Sequence, residues 1–310
     1  MGTPWAIFAV VVLAAAQLGA AVGSDSDGVP KIVHQTHRSR ADWSRVAGPH
    51  QERFRELLPD WELRFYDDAA MVAFVRKVAT PRQAAAFGAL QYGAARADLF
   101  RYLVMLHVGG LYLDAKSFPV GVIDDSVAPP NVSSVVLSHW VERYWARELP
   151  PDGEFQQWYL LGSAGHPLWQ SVLSDVVENV ERCPPGAAGW ISTLETTGPI
   201  AFARAVLPRL DGWGDVQVVE PNLGGRLVYA ADESQDKDGK VPHEAADAQH
   251  YRFRADPLVR WGSSRKERLV RALKIGLGGA VLIMVAIGMG VAMWPSSAFT
   301  AHGPRKPSAD

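Results

Sequence analysis

Asp98 and Arg101 stand three residues apart, and thirteen residues after Arg101 comes Asp114, at the end of the run Gly109-Gly110-Leu111-Tyr112-Leu113-Asp114. Positions i and i+3 of a helix are neighbours, so Asp98 and Arg101 can face one cavity. A carboxylate there can hold sugar or ribose hydroxyls, and a guanidinium can grip a phosphate through two parallel bonds. Taken alone, such a pair is more often a solvated ion pair worth a few tenths of a kcal/mol. The residues downstream of the pair change that reading. A Gly-Gly turn leads into a short apolar run ending in Asp, and ligands of open α/β sheets bind at the carboxyl ends of strands.

The elements that must position these residues can be read around them. Arg96 to Val108 has Leu99, Tyr102, Leu103 and Leu106 at helical spacing and stops at Gly109-Gly110. Leu111-Tyr112-Leu113 reads as a buried strand. Upstream, Lys31 to Thr36 comes after the breaker Pro30 and is rich in strand formers, and Trp61 to Tyr66 alternates as a half-buried strand does. Helices are expected over Pro49 to Leu58, Ala69 to Val78, after Pro81, from His166-Pro167 to Val180, and from Gly198-Pro199 to about Leu207. Val135 to Leu137, Trp158 to Leu161 and Val216 to Val219 complete the strands. This alternation predicts an α/β domain around a mostly parallel sheet.

The run Ala97 to Asp114 resembles the sugar-binding region of glycosyltransferase family 32. Three further stretches resemble the same family in the same order: Pro30-Lys31-Ile32-Val33-His34-Gln35-Thr36, Leu58-Pro59-Asp60-Trp61-Glu62-Leu63-Arg64-Phe65-Tyr66-Asp67-Asp68, and Thr196-Thr197-Gly198-Pro199. Each is weak alone; four in order are specific. The resemblance implies a GT-A type, Rossmann-like fold and retaining transfer from a nucleotide-sugar donor. It also implies that His34 and Gln35 lie on the strand lining the nucleotide pocket, where their backbone matters more than their side chains. In such enzymes an Asp-x-Asp motif holds a divalent cation, usually Mn2+, against the donor diphosphate.

This chain departs from that pattern at one position. Its triplet is Asp114-Ala115-Lys116, with a cation in place of the second carboxylate. Two readings stay open. Lys116 can supply charge to a diphosphate as a point cation. Alternatively Asp114 shares a metal with a downstream ligand, for which His250 is the candidate, although a surface histidine is the commoner case. Trp140, Trp145, Trp158, Trp169 and Trp190 can stack on sugars but are more often core. Glu142, Glu154 and Glu195 are more often surface than acid or base.

Composition limits the remaining classes. A net charge of -2 over 310 residues gives no basic surface for nucleic acid. Cys183 is the single cysteine, which excludes an internal disulfide and a thiolate metal cage. Trp5 to Val22 is apolar and reads as a signal peptide or anchor within residues 1–23, without a basic flank before it. Ile275 to Trp294 carries no charge, and 20 residues at about 1.5 Å each span a bilayer core. A basic flank covers 263–274 and a short polar tail 295–310, leaving 29–262 as the glycosyltransferase domain. The cations from Arg265 to Lys274 favour a cytosolic flank, whereas the sequon Asn131-Val132-Ser133 requires a lumenal one. The expectation is a Golgi or ER membrane protein with a lumenal domain. It would move a hexose to a lipid, glycan or glycoprotein acceptor, the alternative being an inactive membrane scaffold of the same fold.

Overall fold

The protein is described from a computed structural model covering residues 28–129, 132–140, 153–229 and 254–261. The apolar segments at both ends, the basic flank, the sequon asparagine Asn131, Glu142, Trp145 and His250 lie outside these residues. Among the described residues no helix is long and apolar enough to cross a membrane.

Six strands form the central sheet: β1 (Ile32–Thr36), β2 (Glu62–Tyr66), β3 (Gly110–Leu113), β5 (Val135–Ser138), β6 (Tyr159–Gly162) and β7 (Val216–Val219), in the order β2-β1-β3-β6-β5-β7. The pairs β1–β2, β1–β3 and β5–β7 are parallel. β6 runs antiparallel to both neighbours, so its first residue, Tyr159, pairs with Leu113, the last of β3. The sheet is therefore mostly parallel, as the alternation of elements predicts, with one reversed strand in the middle. That reversal brings the loop entering β6 to the edge where β1, β3, β5 and β7 end. A small second sheet pairs β4 (Ser117–Pro119) with β8 (Leu227–Tyr229) beside this edge.

Helix α5 (Gly93–His107) is the hub. It is buried on several sides, so Leu99, Phe100, Tyr102, Leu103, Val104 and Met105 are all inaccessible to water. They pack with α6 (Pro167–Arg182) and α8 (Pro199–Val206) on one face of the sheet. Each such side chain contributes about 1.5–3 kcal/mol through burial. Leu111 and Leu113 point to the opposite face, where Val33, Phe54, Leu58 and Leu161 form a second cluster, while Tyr112 belongs to the first. The alternation along β3 is what a strand covered on both faces requires.

The shorter helices are set by local chemistry. Ser39 caps α1 (Arg40–Ala47) by accepting from the Asp42 N–H at 3.1 Å. Thr80 and Gln83 form a capping box at α4 (Pro81–Ala89), and Asp67 caps α3 (Asp68–Val78). The helix expected over Pro49 to Leu58 is a 3₁₀ turn at Gly48–His50 continued by α2 (Gln51–Leu57). Trp169 is buried in the core, as is usual for the residue type.

Candidate active site

Two glycines bring α5 and β3 together. Gly109 has φ +70° and Gly110 has φ +95°, a backbone region that residues with a Cβ avoid. A Cβ on Gly109 would lie 2.5 Å from the Ala164 nitrogen, and one on Gly110 would lie 2.5 Å from the Ile32 carbonyl oxygen. The reversal is thus too tight for any larger residue, and it returns the chain so that Asp114 lies beside the helix carrying Asp98 and Arg101.

Arg101 is the centre of the constellation. Its Nη2 lies 3.1 Å from Asp98 Oδ1 and 3.3 Å from Asp114 Oδ1, and its Nη1 donates to the Gln157 carbonyl at 2.7 Å. The guanidinium carbon sits 4.5 Å from the centroid of the Tyr112 ring. Burial works against its charge, but Tyr112, Asp114 and Asp98 more than offset that, so its proton affinity is raised. Its Nε has no hydrogen-bond partner among the described residues.

Asp98 is buried as deeply, and its Oδ2 accepts from Thr197 Oγ at 2.9 Å. Burial pushes its carboxyl up to about 6, against the pull of Arg101 and the Thr197 hydroxyl. Tyr102 donates to the Thr197 carbonyl at 2.9 Å, and the Gln157 amide donates to both the Tyr102 hydroxyl and that carbonyl. Gln157 and Thr197, bonded to each other, therefore hold Arg101 and Asp98 respectively. Sequence reasoning names Thr197 only within Thr196-Thr197-Gly198-Pro199 and misses Gln157, whose one signal is its place immediately before a strand.

Asp114 is the member of this cluster that opens outward. Its side chain is 27% exposed, against 9% for Asp98 and 7% for Arg101. Its N–H donates to the Trp158 carbonyl at 2.8 Å, and its carbonyl accepts from the Ser117 N–H at 2.8 Å, closing a turn over Ala115 and Lys116. Burial raises the proton affinity of its carboxylate, with Arg101 and Lys116 opposing. Ala115 is buried and Lys116 half-buried.

His34 and Gln35 lie on β1 beside this cluster, both fully buried. His34 Nε2 lies 2.9 Å from the Gly109 carbonyl, which can only accept, so Nε2 carries the proton and Nδ1 accepts from the Tyr66 hydroxyl at 3.1 Å. Burial lowers the imidazole to about 4, so the ring is neutral. Gln35 accepts from Trp43 Nε1 at 2.9 Å and points its amide at the Asp114 and Ser117 carbonyls, both at 3.5 Å. Both side chains hold the Gly-Gly reversal and the Asp114 turn. Neither presents a polar atom to the crevice.

The carboxyl edge also carries a backbone feature that the sequence does not announce. Asn222 and Leu223 have φ of +59° and +56°, and Gln156 holds them in place: its Oε1 accepts from the Asn222 N–H and its Nε2 donates to Asn222 Oδ1, both at 2.7 Å. Such conformations cost about 1–3 kcal/mol each and persist only where surrounding contacts over-determine them. The buried Leu223 side chain and the double amide bond supply those contacts.

Comparisons with known proteins bear on the stretch that carries this cluster. Residues 48–133 match the family model described as a glycosyltransferase sugar-binding region containing a DXD motif. Inositol phosphoceramide mannosyltransferase 3 of Schizosaccharomyces pombe is 28% identical over 214 residues, covering 67% of this chain and 54% of that protein. The initiation-specific alpha-1,6-mannosyltransferase of the same yeast is 24% identical over 201 residues, covering 59% and 49%. The chain spans about half the length of these curated relatives. Among solved structures, "PaToxG Glycosyltransferase" superposes with a TM-score of 0.42 at 14% identity, covering 61% of this chain and 72% of that one. Through its sugar-binding region the chain is similar to glycosyltransferase family 32.

Proposed function

We propose that the chain is a retaining, GT-A type glycosyltransferase that moves a hexose from a nucleotide-sugar donor to a lipid, glycan or glycoprotein acceptor. The observation that carries this reading is Asp114. It is an acidic group at the end of a buried strand, half-open to the carboxyl edge of the sheet and held in place by a buried guanidinium. Such a group is set to orient donor hydroxyls or phosphate against a fixed frame. Mannose is the hexose of choice because both yeast relatives bear mannosyltransferase names. In this scheme Arg101 and Asp98 hold Asp114 in register, and the crevice excludes water from the reacting carbon. The sugar–phosphate bond breaks, the acceptor oxygen bonds the anomeric carbon, and the departing diphosphate takes the acceptor proton. No protein base is required.

The family's motif implies a divalent cation, Mn2+ in the usual case. The described donors do not fit one. Asp114 already faces Arg101, Asp98 is committed to Arg101 and Thr197, and Lys116 stands where a second carboxylate belongs. Among the described residues no three His, Cys, Asp or Glu side chains converge. His250, the other candidate ligand, is outside them. No step is therefore routed through a metal.

A membrane location in the Golgi or ER, with the domain lumenal, belongs to the same proposal. It rests on the apolar segments and the sequon in the sequence. The rival reading, an inactive scaffold of the same fold, draws on the Asp-Ala-Lys triplet. Incubation with a panel of nucleotide sugars separates the two: release of nucleoside diphosphate supports the enzyme, and binding without turnover of any sugar supports the scaffold.

A further inference from the structure

By the sequence resemblance, the position after Ala115 corresponds to the second carboxylate of the family's acidic motif, and here it is a lysine. Its place in the fold is well defined. The Ser117 N–H closes the turn onto the Asp114 carbonyl at 2.8 Å, and Ser117 then pairs with Tyr229 as β4 meets β8. Lys116 is thus fixed between two anchored residues at the open end of the Asp98–Arg101–Asp114 cluster. Among the described residues the two carboxylates of the cluster, Asp98 and Asp114, both already face the guanidinium of Arg101. A site built to trap a divalent cation carries a net negative charge, because hard cations are held by surplus carboxylate. A site that meets a diphosphate directly needs its positive charge in the chain itself, and a lysine is the compact point charge that phosphate sites use.

We propose that Lys116 supplies the charge that a divalent cation supplies in enzymes with two motif carboxylates, so that this chain binds a nucleoside diphosphate donor without a divalent metal. The inference rests on the donor-site reading above and goes beyond it by naming what neutralises the diphosphate. It also makes the Asp-Ala-Lys triplet a working variant of the motif and removes the main ground for inactivity.

The test is calorimetric titration of the full chain in detergent with GDP and with UDP, each in EDTA and in MnCl2. Wild-type protein is expected to bind one of them in EDTA, with less than about a threefold change on adding Mn2+. Lys116→Met should weaken that binding in EDTA by about tenfold or more. Lys116→Asp restores the second carboxylate and should lose binding in EDTA and regain it in Mn2+. Thermal melting checks that both variants are folded. Wild-type binding that requires Mn2+, or Lys116→Met binding as tightly as wild type in EDTA, overturns the proposal. Failure of wild type to bind either diphosphate in both buffers removes the donor-site reading itself, and this inference with it.

Discussion

One nitrogen of Arg101 lies 3.1 Å from Asp98 and 3.3 Å from Asp114, so a single buried guanidinium ties the helix α5 to the end of strand β3. The other terminal nitrogen reaches the backbone of Gln157, two residues before β6. The consecutive elements α5 and β3 and the distant approach to β6 are thus held by one side chain. Its value lies in fixing geometry, since buried ion pairs add little net stability but are expensive to break.

Replacement of Arg101 tests that role. An ammonium cannot bridge two carboxylates and a carbonyl in one plane, so Arg101→Lys should lower stability by roughly 1–3 kcal/mol and Arg101→Ala by about 3–5 kcal/mol. Both should weaken donor binding. Urea denaturation with parallel donor titration measures the two effects. Wild-type behaviour of Arg101→Lys in both would show that the group acts only as a point charge.

Thr197 bears on the same pair through Asp98. Thr197→Val keeps the shape but removes the hydroxyl that donates to Asp98. The expected cost is about 1–3 kcal/mol, the range for stranding a buried polar partner. Because that hydroxyl holds the Asp98 carboxyl down, its loss should move any activity titration governed by Asp98 to higher pH. A fall in activity with an unshifted pH profile would assign Thr197 to packing alone.

Two buried groups make opposite contributions to acid stability. His34 is lowered from 6.5 to about 4 by burial, so the unfolded chain takes up a proton that the fold refuses. Its contribution is present above pH 6.5 and is lost as the pH falls toward 4. Asp98 is raised from 3.8 to about 6 by burial, so its contribution is present below pH 3.8 and is lost as the pH rises through 6. Chemical denaturation between pH 4 and 6.5 should therefore show stability rising more steeply with pH in Asp98→Asn than in wild type. In His34→Gln it should fall. An unchanged slope in either variant contradicts the corresponding assignment.

Much of this arrangement is legible in the sequence. The helix through Arg101, the Gly-Gly reversal and the strand ending at Asp114 are set by an apolar stripe, two consecutive glycines and a short buried run. The reversed direction of β6 is not legible, because a strand buried on both faces reads the same in either direction. Helices α1 and α7 (Gly189–Thr196) escape sequence reasoning because neither opens on the proline that marks the equally short α8. The pairing of β4 with β8 joins segments more than a hundred residues apart and leaves no local trace. Asp98 and Arg101 are expected from sequence to face a ligand cavity. Their burial is matched by hydrogen bonds to Gln157 and Thr197, partners that only tertiary structure brings near. His34 and Gln35 come from the family resemblance, and their burial shows side chains engaged with the backbone beneath the site.

The most direct test of the central claim compares wild type with Asp114→Asn in nucleotide-sugar turnover, measured as nucleoside diphosphate released. The substitution keeps the shape and removes the charge at the mouth of the sheet, and because it also takes one of two carboxylates from Arg101, thermal melting checks that the variant is folded. Turnover should fall by at least about a hundredfold, or roughly 2.7 kcal/mol in the barrier. Activity within about threefold of wild type in a folded Asp114→Asn protein, roughly 0.7 kcal/mol, would contradict the placement of the chemistry at Asp114.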